Sequence, residues 1–205
     1  TWFDHEGDGD PDLYVCNDFD NPDQLYLNNG NGTFTDVIKL AAPYTSWYAM
    51  GSDAADLNGD GRFDLVIADM GMTSHYKSKT TMGDMSIHKD FLDTAIPRQT
   101  MRNTCFINTG TGRFMEAGYM AGLANSDWTW AVKCSDYDCD SLVDVFFANG
   151  MARKTNDSDR PMPLSFMFGN TEFDFFKSSD TREEDNLVFR NRGDLKFDDV
   201  SEEWG

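Results

Sequence analysis

The stretch DLNGDGRFDL, from Asp56 to Leu65, has carboxylates at its first, fifth and ninth positions, an Asn at its third and Gly61 at its sixth. It leads directly into an apolar segment with β-strand character, LVIAD. Because the 205-residue chain already has a formal net charge of −19, so dense a cluster of acidic groups needs a physical reason. A bound cation would supply one, and the alternative is an ordinary polar turn rich in Asp, Asn and Gly.

The same pattern occurs three times, since DHEGDGDPDL begins at Asp4 and DYDCDSLVDV begins at Asp136. Each copy has oxygen-bearing side chains at positions 1, 3, 5 and 9, and each is followed by a short apolar segment. Three matched loops in front of three predicted strands favour a bound cation over a chance accumulation of turn residues.

A second unit also recurs, as QLYLNNGNGTFTDV, TCFINTGTGRFMEA and LVFRNRGDLKFDDV. Alternating residues, then an Asn and a Gly-containing turn, then a Phe-centred arm predict a β-hairpin. Asp56 follows the hairpin residue Asn28 by the same 28 residues by which Asp136 follows Asn108. The distance from acidic loop to hairpin Asn varies instead, from 24 to 52 and 55 residues, so only this connection accepts insertions.

These units predict an all-β chain, built as a β-propeller of four-stranded antiparallel blades. We expect residues 1–205 to form a single partial propeller with about three blade-like units, near 1–37, 46–117 and 126–200. Two loop-rich inserts are expected near 70–103 and 150–186. Since a closed ring normally has four to eight blades, we expect the remaining blades to come from further sequence or from another chain.

The direction of the chain predicts where the inserts lie. Successive antiparallel strands turn at alternate edges, so the acidic loops and the hairpin turns should share one face. The inserts should emerge on the opposite, insert-bearing face. Variable loops on a rigid scaffold often bind ligands, so we expect binding on this face.

The acidic loops have the donor chemistry of calcium, a hard cation that takes six to eight oxygen ligands. We expect two to three Ca²⁺ ions, with a backbone carbonyl as the ligand at position 7 in the second and third loops. The predicted metal-binding residues are Asp4, Glu6, Asp8, Asp10, Asp12, Asp56, Asn58, Asp60, Arg62, Asp64, Asp136, Asp138, Asp140, Leu142 and Asp144. Zinc is disfavoured because the loops lack paired Cys or His ligands.

The loops differ from an EF-hand and from one another. Position 12 is Val15, Ile67 or Phe147 rather than the bidentate Glu of an EF-hand, and the predicted flanks are strands rather than helices. The second loop fits calcium best. The first has the longer Glu6 at position 3, and the third has Ser141 where a turn Gly is expected, so we expect weaker binding or a different turn there.

Composition excludes some partners. With 36 acidic and 17 basic residues, the chain should repel nucleic acid and anionic membrane surfaces. The sequence has no apolar run long enough to span a membrane. The four cysteines, Cys16, Cys105, Cys134 and Cys139, lack zinc-site spacing, and buried thiols are the simplest interpretation, although disulfide pairing stays open.

The loop, strand and hairpin unit resembles the FG-GAP/VCBS repeat of integrin α-chain β-propellers. The segments TSWYAMGSDAADLNGDGRFDLVIADM, NGMARKTNDSD and NLVFRNRGDLKFDDVSEEWG are more closely similar to bacterial exported proteins related to cartilage acidic protein, the ASPIC/UnbV group. The resemblance implies an exported or surface-attached, calcium-stabilised propeller that binds protein or glycan ligands in adhesion or at a matrix. It also implies that calcium is held at positions 1, 3, 5 and 9 of each loop.

Two other functions remain as alternatives. His75 and His88 lie in the first insert with three lysines, and such a set could abstract a proton from an acidic sugar in a calcium-dependent lyase. No nucleophile-base pair accompanies them, so we expect no catalytic residues. A purely structural surface protein is the third possibility. Four aromatic residues either stack on sugar rings or, as most such aromatics do, pack between blades: Trp47, Tyr48, Trp128 and Trp130.

Overall fold

The computed structural model describes residues 1–82, 88–151, 153, 157, 177, 179–181 and 183–204. Its strands form three four-stranded antiparallel sheets and one two-stranded parallel sheet. The predicted all-β class and the predicted four-stranded antiparallel unit are therefore confirmed. In the second insert, the Phe-rich stretch PLSFMFGNTEFDFF (residues 163–176) lies outside the described residues.

In each four-stranded sheet the chain runs through neighbouring strands in sequence order. The first sheet contains β1 (Trp2–Phe3), β2 (Asp12–Val15), β3 (Gln24–Asn28) and β4 (Phe34–Asp36). The second contains β6 (Gly51–Ala55), β7 (Asp64–Ala68), β9 (Thr104–Asn108) and β10 (Phe114–Glu116). The third contains β11 (Thr129–Ser135), β12 (Asp144–Asn149), β13 (Leu187–Asn191) and β14 (Phe197–Asp199).

In the described part of the chain, five short helices lie outside the sheets. They are α1 (Ile38–Ala41), α2 (His75–Thr81), α3 (Lys89–Thr94), α4 (Gly118–Ala121) and α5 (Ser201–Trp204). The longest, α2, has seven residues, whereas a transmembrane helix needs about 20. The described part of the chain accordingly contains no helix able to cross a bilayer.

Two apolar cores hold the three sheets together. Tyr14 and Leu25 of the first sheet pack with Leu65, Ile67 and Phe106 on one side of the second sheet. On the other side of the second sheet, Val66, Ala68, Cys105 and Ile107 pack with Val145, Phe147 and Phe189 of the third. Because the second sheet is covered on both sides, β7 and β9 are buried along their whole length.

The first insert is more ordered than the loop-rich segment predicted from the sequence. It contains α2, α3 and β8 (Arg98–Thr100), and β8 pairs in parallel with β5 (Tyr44–Ser46). A third apolar cluster lies beneath it, where Trp47, Tyr48, Met70 and Met82 are buried. The insert is thus anchored to the segment that precedes the second sheet.

The four thiols are free, and they do not share one environment. Cys105 is buried and burial raises its pKa, and burial also raises the pKa of Cys16 to about 12. Cys139 is instead exposed, in the third acidic loop. The expectation of buried thiols is therefore wrong for Cys139.

Candidate metal centre

Each acidic loop joins the first two strands of its sheet, and the ninth residue of the loop is the first residue of the second strand. That residue is Asp12, Asp64 or Asp144, and all three are buried. In the second loop Asp64 Oδ2 accepts a hydrogen bond from Leu57 N at 3.0 Å, and Oδ1 accepts one from Asn108 N at 2.8 Å. The carboxylate thereby joins the loop to the end of the third strand.

The other two loops repeat this arrangement. Asp12 accepts from the backbone N–H groups of His5 and Asn28, both at 2.8 Å. Asp144 accepts from Tyr137 N at 3.0 Å and from Asn191 N at 2.8 Å. The acidic loop and the hairpin turn of each sheet therefore lie at the same edge, as the antiparallel order predicts.

The first residue of each loop organises the turn. Asp56 Oδ1 accepts from Gly59 N at 2.8 Å and from Asp60 N at 3.1 Å, and Oδ2 accepts from Gly61 N at 2.8 Å. Asp4 and Asp136 make equivalent bonds to the N–H groups of their own loops. Backbone donors thus hold these carboxylates in fixed orientations.

Positions 3 and 5 continue the turn. The side chains of Asn58 and Asp138 each accept from the N–H two residues later, and so do those of Asp8, Asp60 and Asp140. These five side chains close short local turns typical of Asx residues. Glu6 has no such bond, and its pKa is raised by burial and by the nearby carboxylates of Asp12, Asp8 and Asp4.

The side chain at position 7 of the first two loops lies beside a Gly of the hairpin turn. The Asp10 carboxylate lies beside Gly30, with Oδ2 3.1 Å from the point where a Cβ of residue 30 would stand. The Arg62 side chain lies similarly beside Gly110, and Arg62 Nε donates to Asn108 O at 3.2 Å. In the first and second loops the position 7 side chain therefore packs on the hairpin turn of the same sheet.

The third loop brings three carboxylates closest together. Oxygens of Asp136, Asp138 and Asp144 lie within 4.8 Å of one another, and no other such group was found among the described residues. Two oxygens bound to one Ca²⁺ at about 2.3–2.6 Å are at most about 5 Å apart, so this donor set fits calcium. The third loop, which has Ser141 instead of a turn Gly, thus brings three of its predicted ligands together.

Arg190, on strand β13, forms ion pairs with the third loop that the comparison of the three repeats did not predict. Its Nη2 lies 2.6 Å from Asp138 Oδ2 and 3.1 Å from Asp140 Oδ2. The aligned hairpin positions in the other two units are Leu27 and Ile107, which have no charge. A cation at the third loop would therefore compete with a guanidinium for Asp138.

Two positions in each loop have positive φ, whereas the sequence identified one. They are Gly7 and Gly9 in the first loop, Gly59 and Gly61 in the second, and Cys139 and Ser141 in the third. Cys139 has φ 62° and Ser141 has φ 71°. A residue with a Cβ is strained in this region by about 1–2 kcal/mol. The third loop keeps the same turn but at an energetic cost.

We therefore expect Ser141→Gly to raise the free energy of unfolding by about 0.5–1 kcal/mol, since Gly relieves the strain but gains entropy in the unfolded chain. Urea unfolding of the metal-free protein measures this change. The reciprocal control is Gly61→Ser, which should destabilise by about 1–2 kcal/mol. An unchanged or lower stability of Ser141→Gly would contradict a strained turn.

The hairpin Asn residues also connect neighbouring sheets. Asn108 Nδ2 donates to the His5 carbonyl at 2.8 Å, and Asn191 Nδ2 donates to the Leu57 carbonyl at 3.0 Å. His5 and Leu57 occupy position 2 of the preceding acidic loop. The first and second loops are consequently tied to the hairpin of the next sheet, a contact that sequence alignment alone did not indicate.

The opposite edge of the sheets has its own buried acidic groups, which the sequence analysis also missed. Asp23 Oδ1 accepts from Asn17 N at 2.9 Å, and Asp69 Oδ2 accepts from Trp47 N at 2.8 Å. Burial raises the pKa of both carboxyl groups to about 7. A sequence signal existed, because Asp23, Asn103 and Asn186 each stand five residues before a hairpin Asn.

The first insert covers the predicted aromatic positions at that edge. Trp47 is fully buried, with its ring centroid 4.9 Å from that of His88 and 6.2 Å from that of Phe91. Trp47 thus packs beneath the insert rather than between sheets. Trp128 is partly buried in the same cluster, and Trp130 on β11 is half exposed.

Part of the chain matches a known sequence repeat. Residues 4–67 match the FG-GAP-like repeat. The matched segment contains the first acidic loop, strands β2, β3 and β4 of the first sheet, strand β6, and the second loop with most of β7. This FG-GAP-like repeat supports the predicted FG-GAP/VCBS resemblance, and the three sheets are consistent with blades of such a repeat. A search of curated proteins found no match to the chain.

Proposed function

We propose that this chain is a calcium-binding, extracellular β-propeller module of the FG-GAP type that binds protein or glycan ligands through its insert-bearing face. The observation that carries the proposal is the threefold recurrence of one loop geometry. In each loop a buried position 9 carboxylate joins loop to hairpin, and a position 1 carboxylate orders the turn. FG-GAP repeats are commonly extracellular binding modules, which agrees with this reading.

Calcium would act here as a structural ion. Positions 1, 3, 5 and 9 would hold it with side-chain oxygens, and position 7 with its carbonyl, so that the ion cross-links the first two strands of a sheet. Two to three ions would also offset part of the net charge of −19. Burial raises the pKa of Asp64 to about 6, and the nearby carboxylates of Asp60 and Asp56 raise it by a smaller amount that a cation would offset.

Ligand binding is assigned to the opposite face because the scaffold there carries the first insert. We place the ligand, a protein or carbohydrate, at a cell surface, in a matrix or in the periplasm. Nucleic acid is disfavoured by charge, and no membrane insertion is proposed. Further propeller blades, from additional sequence or another chain, would complete the ring, and a closer relation to ASPIC/UnbV proteins remains part of this proposal.

The alternative of a polysaccharide lyase depends on His75 and His88. His88 is packed edge-on against Trp47, and His75 begins α2. Unsaturated products from an acidic polysaccharide, lost in His75→Ala or His88→Ala, would favour the lyase. A calcium response with no ligand on a glycan array or in a protein-binding screen would favour a purely structural protein.

Thermal unfolding with calcium and with chelator tests the metal proposal. When free calcium is at 100 times the Kd of one site, binding adds about 2.7 kcal/mol to the free energy of unfolding. For a chain of this size that corresponds to a Tm increase of roughly 5–10 °C. Magnesium is the control, because it prefers octahedral sites and retains its water, and should stabilise less. An identical Tm in calcium and in chelator would refute the proposal.

A further inference from the structure

A cavity of about 650 Å³ lies where the first insert meets the second sheet, and we call it the insert cavity. Lys89 of α3 and Arg98 of β8 line it from the insert, Tyr44 from β5, and Tyr119 from α4. Its volume is within the range of about 300–1,000 Å³ that is typical of small-molecule sites.

The charge of the insert cavity is opposite to that of the chain as a whole. Three cations line it, Lys89, Arg98 and Arg102, against a single carboxylate, Asp93. Arg98 and Asp93 form an exposed ion pair at 3.3 Å, and Arg102 is paired with Glu116 behind the wall. The lining therefore keeps a net positive charge in a chain of net charge −19, which selects an anion.

The wall is also rigid and aromatic. The Arg102 guanidinium carbon lies 5.0 Å from the Tyr44 ring centroid and 4.4 Å from the Tyr119 ring centroid. Arg102 also donates to both oxygens of Glu116, at 3.1 and 3.0 Å. Because these groups are fixed before a ligand arrives, the Tyr119 ring is a preorganised surface on which a flat or saccharide ring can stack.

We propose that the insert cavity binds a carboxylate-bearing saccharide, with Lys89 and Arg98 contacting the carboxylate and Tyr119 stacking on a sugar ring. This inference rests on the proposed binding function and names its site and ligand class. A hexuronate unit combines the two features that the wall selects, a negative charge and a ring.

Titration calorimetry with α-linked digalacturonate tests the proposal. We expect binding with a Kd on the order of 1 mM or lower, weakened by added salt. The dimethyl ester of the same disaccharide, which keeps its rings and hydroxyls but loses both charges, should bind at least about tenfold more weakly. Sodium sulfate supplies charge without a ring and should also bind more weakly.

The variant Lys89→Ala/Arg98→Ala should weaken digalacturonate binding by about tenfold or more, without changing Tm, because both side chains are exposed. The matched control is Lys39→Ala/Lys196→Ala, which removes the same charge from two exposed sites outside the lining. Tyr119→Phe should retain binding, and Tyr119→Ala should lose it.

Three results would overturn the proposal: no binding of digalacturonate, equal binding of its ester or of sulfate, or equal loss in the control variant. Calcium-dependent Tm is measured on the same samples. A normal calcium response without digalacturonate binding removes only the insert cavity proposal, whereas an absent calcium response removes the metal proposal by itself.

Discussion

Replacing Asp64 by Ala is expected to lower the free energy of unfolding of the metal-free protein by about 3 kcal/mol or more. Asp64 is fully buried, and its two oxygens accept from Leu57 N and Asn108 N. The substitution leaves both backbone donors without partners, and each buried unsatisfied group costs about 1–3 kcal/mol. Urea unfolding in the presence of chelator measures the loss.

Asp60→Ala is the matched control, since it removes a carboxylate from the same loop at a partly exposed position. In the metal-free protein we expect Asp60→Ala to lower the free energy of unfolding by about 1 kcal/mol or less. With calcium, both variants should lose the stabilisation that the second loop contributes. If the two variants lost the same free energy of unfolding in the presence of chelator, Asp64 would not have the structural role assigned to it.

The second large effect is expected at Glu116, whose carboxylate pairs with the largely buried guanidinium of Arg102. Glu116 Oε1 also accepts from Gly118 N at 2.8 Å. Glu116→Ala leaves a buried positive charge without its partner, and we expect a loss of about 3–5 kcal/mol. The second variant, Arg102→Met/Glu116→Ala, removes both charges and should be more stable than Glu116→Ala alone.

The Glu116 effect should depend on pH. Burial raises the pKa of Glu116, but hydrogen bonds from Arg102, Tyr44 and Gly118 outweigh it, and the pKa is lowered from 4.5. A carboxyl group with a lowered folded-state pKa stabilises the protein above its unfolded pKa and loses that contribution as pH falls through the folded value. The difference between wild type and Glu116→Ala should therefore shrink below about pH 4. A constant difference from pH 7 to pH 3 would contradict this.

Local features were predictable from the sequence because their causes are local. An acidic loop of Asp, Asn and Gly, an apolar strand and an Asn-Gly hairpin each follow from short-range turn and strand chemistry. Their repetition established the four-stranded unit and identified Asp12, Asp64 and Asp144 as equivalent residues. The ordering of α2, α3 and β8 in the first insert was not predictable, since these elements are anchored by Trp47 and Met70 rather than by a periodic pattern of their own.

The sequence by itself determined which residues recur, and hence the sheets, their strand order and the candidate calcium ligands. Tertiary structure alone decided how those equivalent residues differ. It placed Arg190 against Asp138 and Asp140 in one loop, tied His5 and Leu57 to the hairpins of the next sheet, and formed the insert cavity beside Lys89 and Arg98. The physical reason is that repeated loops are governed by backbone turns a few residues long. These contacts instead join residues 50 to 134 positions apart or depend on the packing of an insert.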